Sequence, residues 1–347
     1  MQRWPEPARL AATLALALAA ALACRALRVP LPWMIGPLLA TGICGVLGVP
    51  VRASSRLRNA GQVLIGVALG LYFSPTVVGL LLSLAPAVLA GIVWAFLLGH
   101  GFYRWLLRRG GDIDLPTAFF AAAIGGASEM AVMAERHHGR VDKVAAAHSL
   151  RVLLVVVLIP VAYQLLGVHG ADATLPAVRE VDVGGLALLL AASACGVALL
   201  HRLGLPNPYV LGALLVTGVL TANGVALSAL PLPASNAGQL FIGIALGSRF
   251  TPAFAHAAPR WLGSVALGTL VMIAATALYA AGVAWLAGLH PATVLLATAP
   301  GGIAEMCITA KVLQLGVPVV TAFHVVRYVA VLTMTPLLYR WELRRVG

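Results

Sequence analysis

Gly125-Gly126-Ala127-Ser128-Glu129-Met130 and Gly301-Gly302-Ile303-Ala304-Glu305-Met306 are the two stretches on which the reading of this chain turns. Each places a glycine pair, then a glutamate, inside an apolar segment. Nineteen residues after each glutamate comes a histidine, and three further on an arginine: His148-Ser149-Leu150-Arg151 and His324-Val325-Val326-Arg327. Glutamate, histidine and arginine all recur at an offset of 176, from 129 to 305, 148 to 324 and 151 to 327. Self-similarity at a fixed period marks a duplicated structural unit.

The echo extends toward the N-terminus. Pro32-Trp33-Met34-Ile35-Gly36-Pro37-Leu38-Leu39 corresponds to Pro208-Tyr209-Val210-Leu211-Gly212-Ala213-Leu214-Leu215. Proline suits a first helical turn, where its missing N–H has no intrahelical partner, and the aromatic beside it suits a membrane interface. Asn59-Ala60-Gly61-Gln62 and Asn236-Ala237-Gly238-Gln239 open the longest echo, which carries Gly66-x-x-x-Gly70 in one copy and Gly243-x-x-x-Gly247 in the other. Such glycine pairs let helix backbones approach closely. Ser74-Pro75 and Thr251-Pro252 then place a hydroxyl before a proline, a helix-start signal. This segment therefore reads as two half-helices meeting at a break, crossing the membrane or turning back. Arg249, His256 and Arg260 near the second break are out of place on an unbroken lipid-facing helix.

Of the 347 residues 61% are hydrophobic and only 10% charged, well under the roughly 25% charged of a soluble domain. Mean hydropathy is +0.97. The apolar runs are about the length of a spanning helix, which needs about 20 residues. The expected architecture is an all-α polytopic membrane protein: two homologous repeats of five or six transmembrane segments with broken or re-entrant helices, as in transporters. The repeats are expected over residues 1–168 and 184–347, joined by a linker at 169–183. An odd number of crossings per repeat would invert the copies, and an even number would leave them parallel. The first 24 residues imitate a signal peptide, with Arg3 before an apolar run and Ala21-Leu22-Ala23 after it. The corresponding run before Pro206-Asn207-Pro208 is internal, so Arg9–Ala26 is read as a retained helix.

The net charge of +12 comes from arginines and lysines in short loops, such as Arg52, Arg56 and Arg58, or Arg104, Arg108 and Arg109. Short basic loops are what the positive-inside rule produces. No helix-turn-helix, zinc finger or RNA-binding signature is present, and no nucleic-acid partner is expected. Cys24, Cys44, Cys195 and Cys307 lie in apolar segments without a CxxC pair and read as small buried hydrophobes. His137-His138 and His290 lack metal-ligand spacing. Neither a metal nor a cofactor is expected.

A charged side chain at the bilayer centre costs roughly 2.5–3.5 kcal/mol on insertion scales. Glu129, Glu305, Arg151, Arg327, His148 and His324 are therefore the leading site candidates, with Ser128 beside the first glutamate. Histidine and arginine three apart share one helix face, so both can point at the broken-helix glutamate, Glu129 or Glu305, as its partner. A purely structural reading makes these ion pairs that hold helices in register, a role that apolar residues fill at lower cost. The functional reading starts from the breaks. Gly125-Gly126 and Gly301-Gly302 free backbone groups, the next half-helix offers an anion its positive end, and a nearby glutamate can carry a proton or Na⁺. Broken helices in corresponding positions of two repeats point to a transporter site near the midplane. Asn59, Gln62, Asn236 and Gln239 either cap a half-helix or line the same cavity.

These motifs, each present twice, resemble the AbrB membrane-protein family, which is defined by this duplicated hydrophobic region and is unrelated to the small soluble DNA-binding regulator of that name. The resemblance spans about Leu10 to Tyr339. It implies the labels that members carry, regulation of gene expression and ammonia monooxygenase. Without a DNA-binding element, a regulatory effect would be indirect, through a partner. A copper oxygenase needs clustered histidine ligands, and the nine histidines here are scattered. The expected function is secondary transport across the cell inner membrane of a small anionic or zwitterionic solute with H⁺ or Na⁺, without enzymatic activity. In this reading Glu129 and Glu305 carry the ion, Arg151 and Arg327 pair with the solute or the glutamates, and His148 and His324 tune protonation. A membrane-embedded regulator is the alternative, and a membrane oxygenase a weaker one. The expected partners are the lipid bilayer and the solute with its ion; a homo-oligomer is compatible with the sequence.

Overall fold

The computed structural model describes residues 5–170, 176, 180–225, 227–252, 254 and 259–346. Arg3, His256 and most of the 169–183 linker lie outside them. Among the described residues there are fifteen α-helices and no strand. The first half of the chain forms α1 (Glu6–Ala26), α2 (Pro32–Val46), α3 (Ser55–Gly70), α4 (Pro75–Ser83), α5 (Ala85–Arg109), α6 (Leu115–Ala122), α7 (Ala127–Arg136) and α8 (Val141–Leu165). The second half forms α9 (Val183–Arg202), α10 (Pro208–Ala222), α11 (Leu232–Gly247), α12 (Pro259–Ala287), α13 (Pro291–Thr298), α14 (Ile303–Leu313) and α15 (Val317–Val346).

Six of these, α1, α5, α8, α9, α12 and α15, are long and apolar enough to cross a membrane. Only a segment that satisfies its own backbone can do so unaided. The expected five or six crossings per half thus resolve into three unbroken spans per half plus short or broken segments. Helices α2 and α10, with 15 residues each, rise about 22 Å against a hydrocarbon thickness of about 30 Å. Helices α3 and α4 meet at a break and are bent by 86°. After α11 the Thr251 hydroxyl accepts from the Phe254 N–H at 3.2 Å, the helix-start contact that Thr251-Pro252 signals. Capping sets other starts too: Asp114 accepts from Thr117 N–H at 2.7 Å at the head of α6, and His290 accepts from Ala292 N–H at 3.2 Å at the head of α13.

The chain forms two compact units, each drawn from both halves of the sequence. The first comprises Met1–Ser83, Pro160–Ala255 and Cys307–Pro318; the second comprises Leu84–Ile159, His256–Met306 and Val319–Gly347. In the first unit α3 packs on α10 and α2 on α11 through glycine. A Cβ on Gly66 would stand 2.5 Å from the Val210 carbonyl oxygen, and one on Gly243 2.5 Å from that of Met34. The Gly-x-x-x-Gly pairs are thus packing devices, each set against the proline-led helix of the other half. Helix α1 lies as closely on α2, where Gly36 faces the backbone of Ala20. The second unit is built around buried Trp261, Tyr103, Phe120 and Met130, with the Trp261 indole donating to the Lys143 carbonyl at 3.2 Å.

Candidate functional site

Two helix breaks in the second unit hold the charged candidates. Helix α6 stops at Ala122 and α7 starts after Gly126; α13 stops at Thr298 and α14 starts after Gly302. A helix end leaves its last four carbonyls without intrahelical partners, and such groups are costly to leave unmade away from water. Here they are met from one neighbouring helix. On α8, His148 Nε2 donates to the Phe120 carbonyl at 2.9 Å. Arg151 Nη1 donates to Ala121 at 3.2 Å and Ala122 at 3.4 Å, and Nη2 to Ala123 at 3.0 Å. On α15 the arrangement recurs. His324 Nε2 donates to Leu296 at 2.9 Å, and Arg327 donates to Ala299 at 2.6 Å and Gly301 at 2.8 Å.

Within each pair the guanidinium also donates to the imidazole Nδ1, at 3.0 Å for Arg151 to His148 and 2.9 Å for Arg327 to His324. A guanidinium only donates and a carbonyl only accepts. Both imidazoles are therefore held as the tautomer with hydrogen on Nε2 and a lone pair on Nδ1. All four side chains are buried. Arg151 Nε is buried without a hydrogen-bond partner among the described residues.

This corrects the expected partnership of Arg151 and His148 with Glu129. The two do share a helix face, but they bind the carbonyl end of the half-helix before the break. The reason lies in the break itself. The end of α6 gathers orphan carbonyls with a partial negative charge that draws a cation, whereas the glutamate lies beyond the break, at the opposite pole of the next half-helix.

Glu129 and Glu305 are each the third residue of their half-helix, after Gly126 and Gly302. Each carboxylate curls back over that glycine. A Cβ on Gly126 would collide with Glu129 Oε2, and one on Gly302 with Glu305 Oε2. The second glycine of each pair is thus needed for close approach rather than for an unusual backbone: Gly126 has φ −68° and ψ 137°. The returning carboxylate is an N-terminal acid of the capping-box kind, negative charge at the positive end of a helix. The first glycines pack on the methionines that follow, where a Cβ on Gly301 would lie 2.8 Å from the Met306 side chain and one on Gly125 3.0 Å from that of Met130.

The two glutamates differ in burial, and a tyrosine reaches the first. Glu129 is half-buried and accepts from the Tyr328 hydroxyl at 3.0 Å, while Glu305 is buried. Tyr328 has no echo, since Val152 stands at the corresponding position. Its signal in the sequence was an aromatic beside Arg327 that breaks the duplication. Ser128 is exposed.

The amide candidates belong to the first unit. Helices α3 and α11 meet at the centres of their Asn-Ala-Gly-Gln motifs, where a Cβ on Gly61 would stand 2.9 Å from the Gly238 carbonyl oxygen. Gln62 donates to the Asn207 side chain at 3.4 Å, and Asn59 accepts from Arg58 Nη2 at 3.2 Å. Gln239 is buried and Asn236 half-buried. The capping expectation is corrected here. Ser54 caps α3, and α11 follows Pro231, so the amides lie a turn inside their helices. Among the described residues no three of His, Cys, Asp and Glu converge to hold a metal ion.

A family model described as "Transition state regulatory protein AbrB" matches residues 33–342. The chain is 28% identical over 340 residues to "Uncharacterized protein YhjN" of Bacillus subtilis (strain 168), spanning 89% of this chain and 86% of that protein. It is 26% identical over 320 residues to "Putative regulator AbrB" of Escherichia coli (strain K12), spanning 91% of each. Neither name states an enzymatic activity. No solved structure matches the chain.

Proposed function

The chain belongs to the AbrB family, and from that premise we propose that it is a multi-pass inner-membrane carrier, moving a small anionic or zwitterionic solute together with H⁺ or Na⁺. One observation carries the reading: two interrupted helices, each pinned at its carbonyl end by a buried His–Arg pair and closed at its N-terminal end by its own glutamate. An N-terminal helix end is an anion site, and here an ionisable side chain already occupies it. Protonation or Na⁺ binding at Glu129 or Glu305 loosens the carboxylate's hold and opens that end to a solute anion, so ion and solute binding are linked. Arg151 and Arg327, their terminal N–H groups engaged by carbonyls and imidazoles, serve a solute through charge and by holding the breaks in shape. His148 and His324 orient the guanidinium groups. Tyr328, donating to Glu129, ties that carboxylate to α15. We read no enzymatic step in this arrangement. The regulatory wording in the names of the relatives comes to this chain as a second reading, an effect on gene expression through a partner protein.

The test is ion binding by the purified protein without solute, by proton-release titration and ²²Na⁺ binding, in wild type, Glu129→Gln and Glu305→Gln. Loss of the signal in variants that remain folded on size exclusion supports the carrier. If both variants bind as wild type but melt much lower, the glutamates are structural and the partner-mediated reading stands instead.

A further inference from the structure

Beside the first break the second unit contains a cavity of about 400 Å³ between α5, α6 and α15, within the roughly 300–1,000 Å³ of small-molecule sites. Its wall is mainly apolar. Exposed Val93 and Leu97 on α5 and exposed Met334 and Trp341 on α15 line its side. Both helices are long and apolar enough to span a membrane, so this side opens toward acyl chains rather than water. The inner end reaches Ala123 and Ile124 of the break, and the Ala123 carbonyl is the one that Arg151 Nη2 holds.

The other end is polar and carries both signs of charge. Glu342 is buried, yet it lines the cavity. Its described partner is the hydroxyl of buried Tyr103, which donates to Oε1 at 3.2 Å. A carboxylate has about four acceptor sites, and burying its charge without a cation is costly. One turn on, exposed Arg345 lies over the Trp341 ring at 3.8 Å. That contact uses the face of the guanidinium and leaves its N–H edge to donate. A carboxylate inside and a guanidinium at the rim, three residues apart on one helix face, match a head group with an ammonium at its tip and a phosphate behind it.

We propose that this cavity is a lateral binding site for a phospholipid with a zwitterionic, primary-amine head group. Its ammonium meets Glu342, its phosphate meets Arg345, and one acyl chain lies along Phe96 and Phe119 toward Ile124. Other common head groups use the buried carboxylate less well: a phosphoglycerol head offers hydroxyl donors but no cation, and a trimethylated choline offers a charge but no N–H donor. The site places a lipid tail against the break that carries Glu129, and it stands independently of solute transport.

The test is native mass spectrometry of the full chain released from detergent, with equal amounts of dioleoyl phosphatidylethanolamine, phosphatidylcholine and phosphatidylglycerol. Wild type should retain the ethanolamine lipid about ten-fold over the other two, the equivalent of one charge-assisted hydrogen bond. Glu342→Gln keeps an acceptor for Tyr103 but loses the charge, and should abolish that preference without lowering the melting temperature. Leu97→Trp, at an exposed position that tolerates bulk, should block entry and lower retention of all three. Equal retention by wild type, preference for the glycerol lipid, or an unchanged preference in Glu342→Gln would overturn the proposal, as would undiminished retention in Leu97→Trp.

Discussion

Gly126→Ala tests the closing of α7 by its own glutamate, because the expected sign depends on that contact. The backbone at 126 has φ −68° and ψ 137°, which alanine adopts without strain. Where nothing else changes, Gly→Ala at such a site stabilises by about 0.4–1 kcal/mol through the unfolded chain. Here the new Cβ collides with Glu129 Oε2 and stands 2.8 Å from Cδ, so the carboxylate must leave. Its interaction with the helix end is worth about 0.3–2 kcal/mol, and the hydrogen bond from Tyr328 to a charged acceptor about 1.5–3 kcal/mol. The net expectation is a loss of roughly 1–4 kcal/mol. In a Glu129→Ala background there is no carboxylate to displace, and once the Tyr328 ring at 3.3 Å yields a few tenths of an ångström the same substitution should gain up to about 1 kcal/mol. The assay is thermal unfolding of detergent-purified protein by tryptophan fluorescence, run as a double-mutant cycle. At about 2–4 °C per kcal/mol, Gly126→Ala should melt several degrees lower in the intact chain and slightly higher in the background. A higher melting temperature in both refutes the closing contact.

The pinned breaks predict an order among substitutions at His148. Glutamine can donate to Phe120 and accept from Arg151, whereas leucine can do neither and strands both in a buried site; His148→Gln should melt within a few degrees of wild type, and His148→Leu should lose about 2–4 kcal/mol with reduced yield of folded protein on size exclusion. The glycine contacts predict a contrast. Gly66→Ala places a methyl 2.5 Å from the Val210 carbonyl oxygen, while a Cβ on Gly79 of α4 meets nothing within 4 Å. Gly66→Ala should cost about 1–3 kcal/mol and Gly79→Ala nothing or a small gain, read as melting temperatures side by side.

Much of the architecture was legible because it follows from local chemistry. Apolar length and sparse charge dictate membrane-spanning helices whatever their neighbours, and Ser74-Pro75 and the two glycine pairs mark breaks because proline and glycine act on their own backbone. Other features were not legible. Ser54, not Asn59, caps α3, because the chain enters the helix earlier than the amide motif suggests. The apolar runs after Pro32 and Pro208 do not show where their helices stop, and α2 and α10 end after 15 residues.

The sequence by itself determined the membrane class, the offset that ties Glu129 to Glu305 and Arg151 to Arg327, and the places where helices stop. Only the tertiary structure decided what the buried cations hold. From composition, a glutamate is the natural partner of an intramembrane arginine. A helix end, however, concentrates several unsatisfied carbonyls that no residue letter displays, and packing α8 on α6 brings Arg151 and His148 to them first. The carboxylate is then free to curl onto the opposite pole of the next half-helix, and a tyrosine from the other half of the chain reaches it. Backbone partial charges follow from the fold rather than from side-chain identity, so their partners become visible only when the helices are in place.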